Sequence, residues 1–312
     1  MFTATDLHGI IPPLLTPINS DETVDEPALQ RLVGYVLDGG CHALFALGSS
    51  GEFCTLPQGQ HRRVLETVVA AAAGRAPVLA GIAATSLSEA LANAELARDC
   101  GADACVATAP YYFAYSQAEL REYFTRLADA IALPLVLYNI PQRTGNPISP
   151  DTVLALSGHP NIIGLKDTSE NLMAITRMIT ALRGREDFSL LVGTETLLVP
   201  AMLLGAQGAV LGFANIAPHF SVRLYETARS QDIAAARRMQ DQAEDLFRVF
   251  RHYSYGEPSI GAGLGGLKLA ASMLRFGDAR MCFPARVPAE TDSMRKMVEG
   301  WIAAGIIERP AG

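Results

Sequence analysis

Short apolar runs alternate with helical patterns along most of this chain, and this alternation constrains the fold more than any other feature. Runs such as LPLVLYNI and SLLVG are apolar on both faces, as parallel strands covered by helices must be. A helical pattern follows each run, and EPALQRLVGYVLDGG ends at two glycines that stop the helix. We predict eight strands, which begin near Gly9, Ala43, Pro77, Ala104, Pro134, Asn161, Phe188 and Gly208.

Eight strand–helix units in succession predict an α/β fold, a closed (β/α)8 TIM barrel over residues 1–231. An open, doubly wound sheet is the alternative. The strand pattern stops at about Asp232, and three helical patterns follow in residues 232–253, 265–277 and 289–305. We interpret residues 232–312 as a C-terminal three-helix extension that packs on the barrel.

Composition argues against several classes of protein. The net charge is −7 and no Lys/Arg-rich run interrupts the acidity, so nucleic acid is not an expected partner. The five cysteines lack a CxxC or zinc spacing, and the six histidines form no HxH or HExxH pair. We therefore expect reduced thiols, a cytoplasmic location and no metal site.

Two segments bear on membrane targeting. The N-terminus has no basic region and has two prolines in its apolar part, which is not typical of a signal peptide. Residues 197–218 carry no charge over a length that could span a bilayer. They also contain prolines, glycines, Gln207 and Asn215, so we interpret them as a helix, a glycine turn and a strand. No membrane partner is expected.

Polar side chains gather at the predicted C-terminal ends of the strands, where the active sites of such barrels lie. These ends are GSSGE on strand 2, APYY on strand 4, YNIPQRTG on strand 5, GLKD on strand 6, VGTE on strand 7 and LGFAN on strand 8. Hydroxyls, phenols, one arginine and one lysine therefore converge on one rim.

Lys166 stands out at the end of an apolar strand. Only three of the 25 basic residues are lysine, so the chain otherwise prefers arginine. A desolvated lysine amine gives up its proton more readily than an exposed one, and the neutral amine is a nucleophile, whereas a guanidinium stays protonated. Schiff-base chemistry at Lys166 is one interpretation. The other is a lysine that extends to solvent and pairs with Asp167 or Glu195.

Each of the other candidates has a functional and a structural interpretation. Tyr138 can shuttle protons to an imine or fill the core. Ser49 and Ser50 can hold a carboxylate or cap a turn. Arg143 can clamp a carboxylate or lie exposed. Tyr112, one of an aromatic pair in a loop, is more typical of packing or an interface.

The run GAGLGG, residues 261–266, formally fits the dinucleotide-binding pattern G-x-G-x-x-G. It lacks the preceding strand that such a site requires, because RHYSYGEPSI is no clear strand. We interpret the run as a loop before a helix and expect no NAD-dependent chemistry.

Taken together, the strand ends resemble the pyruvate-dependent aldolases, the family of dihydrodipicolinate synthase and N-acetylneuraminate lyase. The matching motifs are GSSGE, APYY, YNIPQRTG, NIIGLKDTS and GAVLGFAN, in the family's order and spacing. The similarity runs from about Gly9 to Asn215 and weakens in the last hundred residues.

The resemblance implies roles for individual residues. Lys166 matches the lysine that forms an imine with pyruvate, and Tyr138 matches the tyrosine that relays protons. Ser49 and Ser50 match the hydroxyl pair at the pyruvate carboxylate, of which Ser50 joins the relay. Tyr112 matches a tyrosine lent across a tight dimer to the neighbouring site.

The remaining matches concern substrate binding and assembly. Arg143 matches an arginine that binds the second substrate's carboxylate in the synthase branch. Glu195 and Val210, at the ends of strands 7 and 8, complete the expected substrate-binding set. The resemblance also implies a homotetramer built as a dimer of dimers, with no cofactor.

Some motifs depart from the family pattern and put the second substrate in doubt. The hydroxyl pair is Ser-Ser instead of Thr-Thr or Ser-Thr, and strand 7 ends in Thr194-Glu195 instead of the Asp-Glu of the sialate lyase. GEPSIGAG replaces the synthase's Asn-Pro-Ile-Pro run, and APYYFAY lacks the polar residue that follows the tyrosine pair.

We therefore predict a Schiff-base lyase or synthase that joins pyruvate to an aldehyde, or that cleaves a 2-oxo acid, as dihydrodipicolinate synthase-like enzymes do. The first alternative is a 2-keto-3-deoxy sugar acid aldolase or dehydratase. The second, from another class, is a barrel that binds a 2-oxo acid without catalysis.

Overall fold

The computed structural model describes residues 2–253 and 259–310, and it contains all eight predicted strands. Each strand begins within one residue of its predicted start, because short apolar runs between turns define buried strands well. The strands are β1 Gly9–Ile11, β2 Leu44–Ala46, β3 Val78–Gly81, β4 Ala104–Thr108, β5 Leu135–Asn139, β6 Ile162–Asp167, β7 Ser189–Val192 and β8 Gly208–Val210.

The strands form one parallel sheet that closes on itself. Their order is β1-β8-β7-β6-β5-β4-β3-β2, so the first strand lies beside the last. At the remaining seam, the Leu14 N–H donates to Phe45 O at 2.8 Å, and the Phe45 N–H donates to Pro12 O at 3.1 Å. The TIM barrel is thus confirmed, and the open doubly wound sheet is wrong.

Helices cover the outside of the barrel, and three more follow it. The first nine are α1 Glu26–Asp38, α2 Gly59–Ala72, α3 Leu87–Asp99, α4 Gln117–Ala130, α5 Pro141–Thr144, α6 Pro150–Leu156, α7 Leu172–Ala181, α8 Leu198–Leu204 and α9 Pro218–Arg229. The C-terminal helices are α10 Ile233–Leu246, α11 Ile260–Met273 and α12 Asp292–Ala303. α10 packs on α8 and α9, and α11 packs on α12. The domain boundary at residue 231 stays a prediction.

The barrel interior is a small core of its own, separate from the larger core between strands and helices. Its members include Phe45, Val106, Val136 and Leu191, all nearly inaccessible to solvent. Side chains alternate along a strand, so the residue two places after an inward one also points inward. This rule places Tyr138, two residues after Val136, at the top of the interior.

The interpretation of GAGLGG as a loop is wrong, since residues 261–266 form the first half of α11. Tertiary packing overrides the poor helix propensity of glycine here. A Cβ atom at Gly261 would lie 2.3 Å from Arg286 O, and one at Gly266 would lie 2.3 Å from Val249 O. The glycines therefore let neighbouring backbone press against the helix. Residues 256–258 of GEPSIGAG lie outside the described residues.

Residues 197–218 divide as expected into α8, a turn at Gly205 with φ of +114°, and β8. Among the described residues, no helix combines the length and apolarity needed to cross a membrane. Within the same residues, no group of three or more His, Cys, Asp or Glu side chains is arranged to hold a metal ion.

Candidate active site

A pocket of about 780 Å³ opens at the C-terminal ends of the strands. It is lined by seven of the eight residues that the sequence nominates: Ser49, Ser50, Tyr138, Arg143, Lys166, Glu195 and Val210. A smaller groove of about 400 Å³, at the opposite end of the barrel near His8 and Arg229, contains none of them. The strand-end pocket is therefore the candidate active site.

Lys166 is the fifth residue of β6 and is only 4% exposed. Its Nζ lies 3.8 Å from the centroid of the Tyr138 ring and 5.1 Å from that of Phe45. The negative faces of aromatic rings stabilise a cation that has lost water. The lysine amine is thus enclosed in the pocket and does not extend to solvent.

Lys166 forms no ion pair with either of the two carboxylates that could have paired with it, and both accept hydrogen bonds from other groups. Asp167 points to the outside of the sheet, where it accepts hydrogen bonds from Asn139 Nδ2 at 2.8 Å and from the Ser169 N–H at 2.8 Å. Glu195 accepts the Gly212 N–H at 2.7 Å. The geometry therefore does not support the structural interpretation of Lys166.

Tyr138 lies beside Lys166, because β5 and β6 pair with these two residues as direct neighbours. Burial alone would raise the pKa of its phenol. The positive charge of Lys166, together with the adjacent Ser49 and Thr168 hydroxyls, outweighs burial and lowers the pKa below its ordinary value of 10.0. A phenol with a lowered pKa gives up its proton more readily than a free tyrosine does, which suits it to proton transfer near neutral pH.

Ser49 and Ser50 lie in a 3₁₀ turn, Ser49–Gly51, that follows β2. The turn is held on the barrel by Thr16, whose hydroxyl donates to Gly51 O at 2.9 Å. Glu52 ends the turn in the left-handed region, with φ of +59°. The turn brings both serines to the pocket and places the Ser49 hydroxyl beside the Tyr138 phenol.

Arg143 lies at the pocket mouth in the short helix α5 and is exposed. The loop after it is well anchored: Asn146 Nδ2 donates to Pro110 O at 2.8 Å and to Phe113 O at 2.7 Å. Asn146 thus links the loop after β5 to the loop after β4, and these hydrogen bonds hold the backbone near Arg143 in place.

Glu195 is buried, and its Oε1 accepts the N–H groups of Gly212 and Phe213 at 2.7 and 3.4 Å. Burial raises the pKa of this carboxyl, and the two N–H groups and Lys166 only partly offset the effect. Glu195 therefore lines the pocket, and one of its two carboxyl oxygens already accepts hydrogen bonds from the backbone that follows β8.

Two pocket residues next to Lys166, Thr168 and Gly193, were missed by the sequence analysis. Thr168 follows Lys166 by two residues, and its buried hydroxyl has no well-formed hydrogen bond to any described residue. A Cβ atom on Gly193 would lie 1.9 Å from Thr168 Oγ1 and 2.9 Å from Lys166 Cε, so only glycine leaves room here. The alternation of side chains after Lys166 would have signalled Thr168.

The far wall of the pocket comes from the C-terminal helices, which the motifs did not indicate. Phe247 and Phe250 form one part of it, and Ile260, Ala262 and Leu264 of α11 form another. The pocket thus has a barrel side, which holds Lys166, and a side from beyond the barrel that is largely apolar but also contains Arg251, Tyr253 and Ser259.

Tyr112 is the one nominated residue outside the pocket. It is 86% exposed, and its φ of +87° is unusual for a residue with a side chain. Phe113 is 66% exposed, and the two ring centroids are 5.0 Å apart. The loop after β4 therefore presents an aromatic pair away from its own barrel.

Comparison with known proteins agrees with this geometry. The model of the Dihydrodipicolinate synthetase family matches residues 6–258. The 4-hydroxy-tetrahydrodipicolinate synthase of Methanospirillum hungatei JF-1 is 35% identical over 271 residues, which cover 86% of this chain and 92% of the relative. The probable 2-dehydro-3-deoxy-D-pentonate aldolase YjhH of Escherichia coli K12 is also 35% identical, over 78% of this chain and 81% of the relative.

A solved structure shares the whole architecture. It is YagE, a prophage protein of Escherichia coli K12 that belongs to the dihydrodipicolinic acid synthase family, in complex with pyruvate. The TM-score is 0.87 at 29% identity, over 96% of this chain and 99% of the other. These matches confirm the resemblance that the strand-end motifs indicate: the chain belongs to the dihydrodipicolinate synthetase family.

Proposed function

We propose that this protein is a lyase or synthase that forms a Schiff base between Lys166 and pyruvate, or a larger 2-oxo acid, and makes or breaks a bond to an aldehyde. The observation that carries the proposal is the enclosed Lys166 amine, 3.8 Å from the Tyr138 ring centroid, in a pocket with Ser49 and Ser50. The pyruvate complex of the relative YagE supports the choice of 2-oxo acid.

The chemistry follows from these groups. The neutral Lys166 amine attacks the keto carbon of pyruvate to give a carbinolamine, and loss of water gives the imine. Loss of a methyl proton gives an enamine, whose carbon adds to the aldehyde, and water then releases the product and restores the amine. The cationic imine is the electron sink, so the step requires no metal or organic cofactor. Tyr138, with Ser50, carries the protons.

A synthase-like reaction with an acidic aldehyde, such as aspartate semialdehyde, is the first candidate. Arg143 at the pocket mouth can hold a carboxylate with two parallel hydrogen bonds. Glu195 repels such a partner less than an exposed carboxylate would, since burial raises its pKa and its Oε1 already accepts backbone N–H groups. The synthase of Methanospirillum hungatei is a relative of this kind.

A 2-keto-3-deoxy sugar acid is the second candidate, and the Thr168 hydroxyl favours it. This hydroxyl lines the pocket beside the Tyr138 phenol, where it can also form a hydrogen bond with a hydroxylated chain. The relative YjhH is named as an aldolase for such an acid. A polyhydroxy acid would use both Arg143 and Thr168.

We also propose that two copies of the chain pair through the loop after β4, so that Tyr112 reaches the partner's pocket. Asn146 fixes the loop on both sides of Tyr112, so the exposed ring is presented on a rigid base. Rigid, exposed aromatic side chains are typical centres of protein interfaces. Two such dimers would form the homotetramer that the resemblance implies.

Trapping with borohydride tests the nucleophile. With pyruvate present, reduction should add a pyruvate-derived mass to the peptide that contains Lys166. Lys166→Arg keeps the charge but should abolish trapping and turnover, because a guanidinium does not form the imine. Lys296→Arg, on the exposed side of α12, is the matched control and should trap pyruvate normally. An adduct on Lys268 or Lys296 would refute the assignment to Lys166. If no adduct formed at all, the alternative of a barrel that binds a 2-oxo acid without catalysis would be favoured.

Tyr138→Phe tests the proton relay. It keeps the ring and removes the hydroxyl, so kcat should fall by about 10²–10⁴-fold while Tm changes little. Tyr123→Phe is the control, because the buried Tyr123 hydroxyl has no hydrogen-bond partner among the described residues and lies outside the pocket.

Spectroscopic titration of the Tyr138 phenol tests the relay in the absence of substrate. The absorbance of the Tyr138 phenolate should appear with a pKa below the ordinary 10.0. This signal should be absent from Tyr138→Phe. Lys166→Met removes the cation and leaves burial, so the pKa of Tyr138 should rise. A Tyr138→Phe enzyme with most of its kcat would contradict the relay.

Paired substitutions decide between the two partners. Arg143→Ala should lower kcat/KM for acidic aldehydes by about 10–150-fold, as the roughly 1.5–3 kcal/mol of a charge-assisted hydrogen bond implies, and should leave pyruvate trapping intact. Thr168→Val keeps the shape and removes a hydroxyl beside the Tyr138 phenol, so it should lower kcat/KM for all partners and should lower it most for hydroxylated ones. Equal losses for acidic and neutral partners in Arg143→Ala would show that this arginine shapes the loop and does not bind the substrate.

Mixing two inactive variants tests whether Tyr112 acts across an interface. Tyr112→Ala and Lys166→Arg should each be poorly active alone. A mixed dimer contains one complete pocket if Tyr112 comes from the partner, so activity should return when the two proteins are unfolded and refolded together. Light scattering that finds a fully active monomer, or no recovery in proven mixed dimers, would refute the proposal.

A further inference from the structure

Glu52 and Lys268 form an ion pair in which both side chains are only 3% exposed. Elsewhere in the described residues, ion pairs lie at the surface, as in Arg75–Asp38 and Arg177–Asp151. Taking two charges out of water is costly, and apolar side chains of similar volume are often at least as stable. Stability alone therefore does not account for this pair.

The pair joins three segments that are far apart in sequence. Lys268 Nζ donates to Glu52 Oε1 and, at 2.7 Å, to Arg280 O. The other carboxylate oxygen, Glu52 Oε2, accepts the Cys282 N–H at 2.9 Å. Both oxygens of the carboxylate are satisfied, so the position of Glu52 is set by contacts with the C-terminal region.

Glu52 is the residue immediately after the serine turn. Its own N–H donates to Ser49 O at 3.2 Å, and its carbonyl accepts the N–H groups of Thr55 and Leu56 at 2.9 Å each. Any displacement of Glu52 therefore moves the turn that carries Ser49 and Ser50, and with it the contact between Ser49 and the Tyr138 phenol.

Lys268 lies in α11, one helical turn after the pocket residue Leu264. The same helix provides Ala262 and Gly263 to the pocket wall. The ion pair thus connects the serine turn, on the pyruvate side, with the wall that would face the second substrate.

We propose that Glu52 and Lys268 are positioning residues, whose buried ion pair sets the placement of Ser49 and Ser50 relative to Tyr138 and to the α11 wall. Neither residue lines the pocket, so both act through the residues they hold. The catalytic consequence rests on the proposed Schiff-base function. Its physical basis is that a displacement of about 1 Å in a catalytic group can cost about 10²-fold in rate.

The deciding variant is the double substitution Glu52→Gln/Lys268→Met, which removes both charges and keeps similar volumes. Each single substitution leaves an uncompensated buried group and should lower Tm, and the double variant should recover much of that loss. If the pair positions the turn, kcat/KM for pyruvate should remain about 10²-fold below wild type even though Tm recovers. Recovery of kcat/KM together with Tm would overturn the proposal, because the pair would then be structural only.

Two further variants keep the test decisive. Lys296→Met, the same substitution on the exposed face of α12, should change neither Tm nor kcat/KM. Should the double variant fail to recover Tm, Glu52→Asp keeps the charge but shortens the side chain by one methylene group. It should lower kcat/KM while the protein stays folded, and wild-type kcat/KM in Glu52→Asp would overturn the proposal.

The titration of Tyr138 separates this proposal from the proposed function. Wild-type protein that forms no pyruvate adduct would refute the Schiff-base function only. The phenolate titration needs no substrate, and it should show a higher pKa for Tyr138 in the folded double variant, because Ser49 no longer approaches the phenol. An unchanged titration in that variant would refute the positioning role.

Discussion

The pairing of β5 with β6 is the constraint on which the rest of the pocket depends. It places Tyr138 directly beside Lys166 and Asn139 directly beside Asp167. A slip of one residue would turn Lys166 to the outside and Asp167 into the barrel. Asn139 Nδ2 donates to Asp167 Oδ2 at 2.8 Å on the outer face, and its Oδ1 accepts the Ile148 N–H at 3.0 Å. The outer hydrogen bonds therefore hold the register that the inner pair requires.

Much of the fold could be predicted because its signals are local. Eight apolar runs with turns between them define the strands, and parallel strands bring their C-terminal ends to one rim. That rule alone gathers Ser49, Tyr138, Lys166 and Glu195 before any contact is known. The same rule does not say which way a side chain points or how far it lies from its neighbours. The choice between an enclosed Lys166 and a solvent-exposed one therefore needed the structure.

What the sequence could not provide depends on contacts between distant segments. Glu52 and Lys268 are 216 positions apart, and no local pattern pairs them. Helix α11 begins within a glycine-rich run whose propensity opposes a helix, and close packing on Val249 and Arg286 decides the outcome. Thr168 differs from these cases, because it follows Lys166 by two residues and the alternation of side chains could have predicted that it faces the pocket.

The two sides of the pocket are built from different parts of the fold. Lys166 and Tyr138 lie on strands of a closed barrel, and each of these two strands is hydrogen-bonded to a neighbour on both sides. Arg143 belongs to the short helix α5, Thr168 follows the end of β6, and the α11 wall belongs to an added helix. Under the proposed function, substitutions at Arg143 or in the α11 wall would alter the aldehyde partner without disturbing the strand pair that holds the amine. Relatives named as a dipicolinate-pathway synthase and as a sugar-acid aldolase, each 35% identical to this chain, are consistent with such a division. Under the proposed function, the barrel would bind the 2-oxo acid, and the outer elements would select what it is joined to.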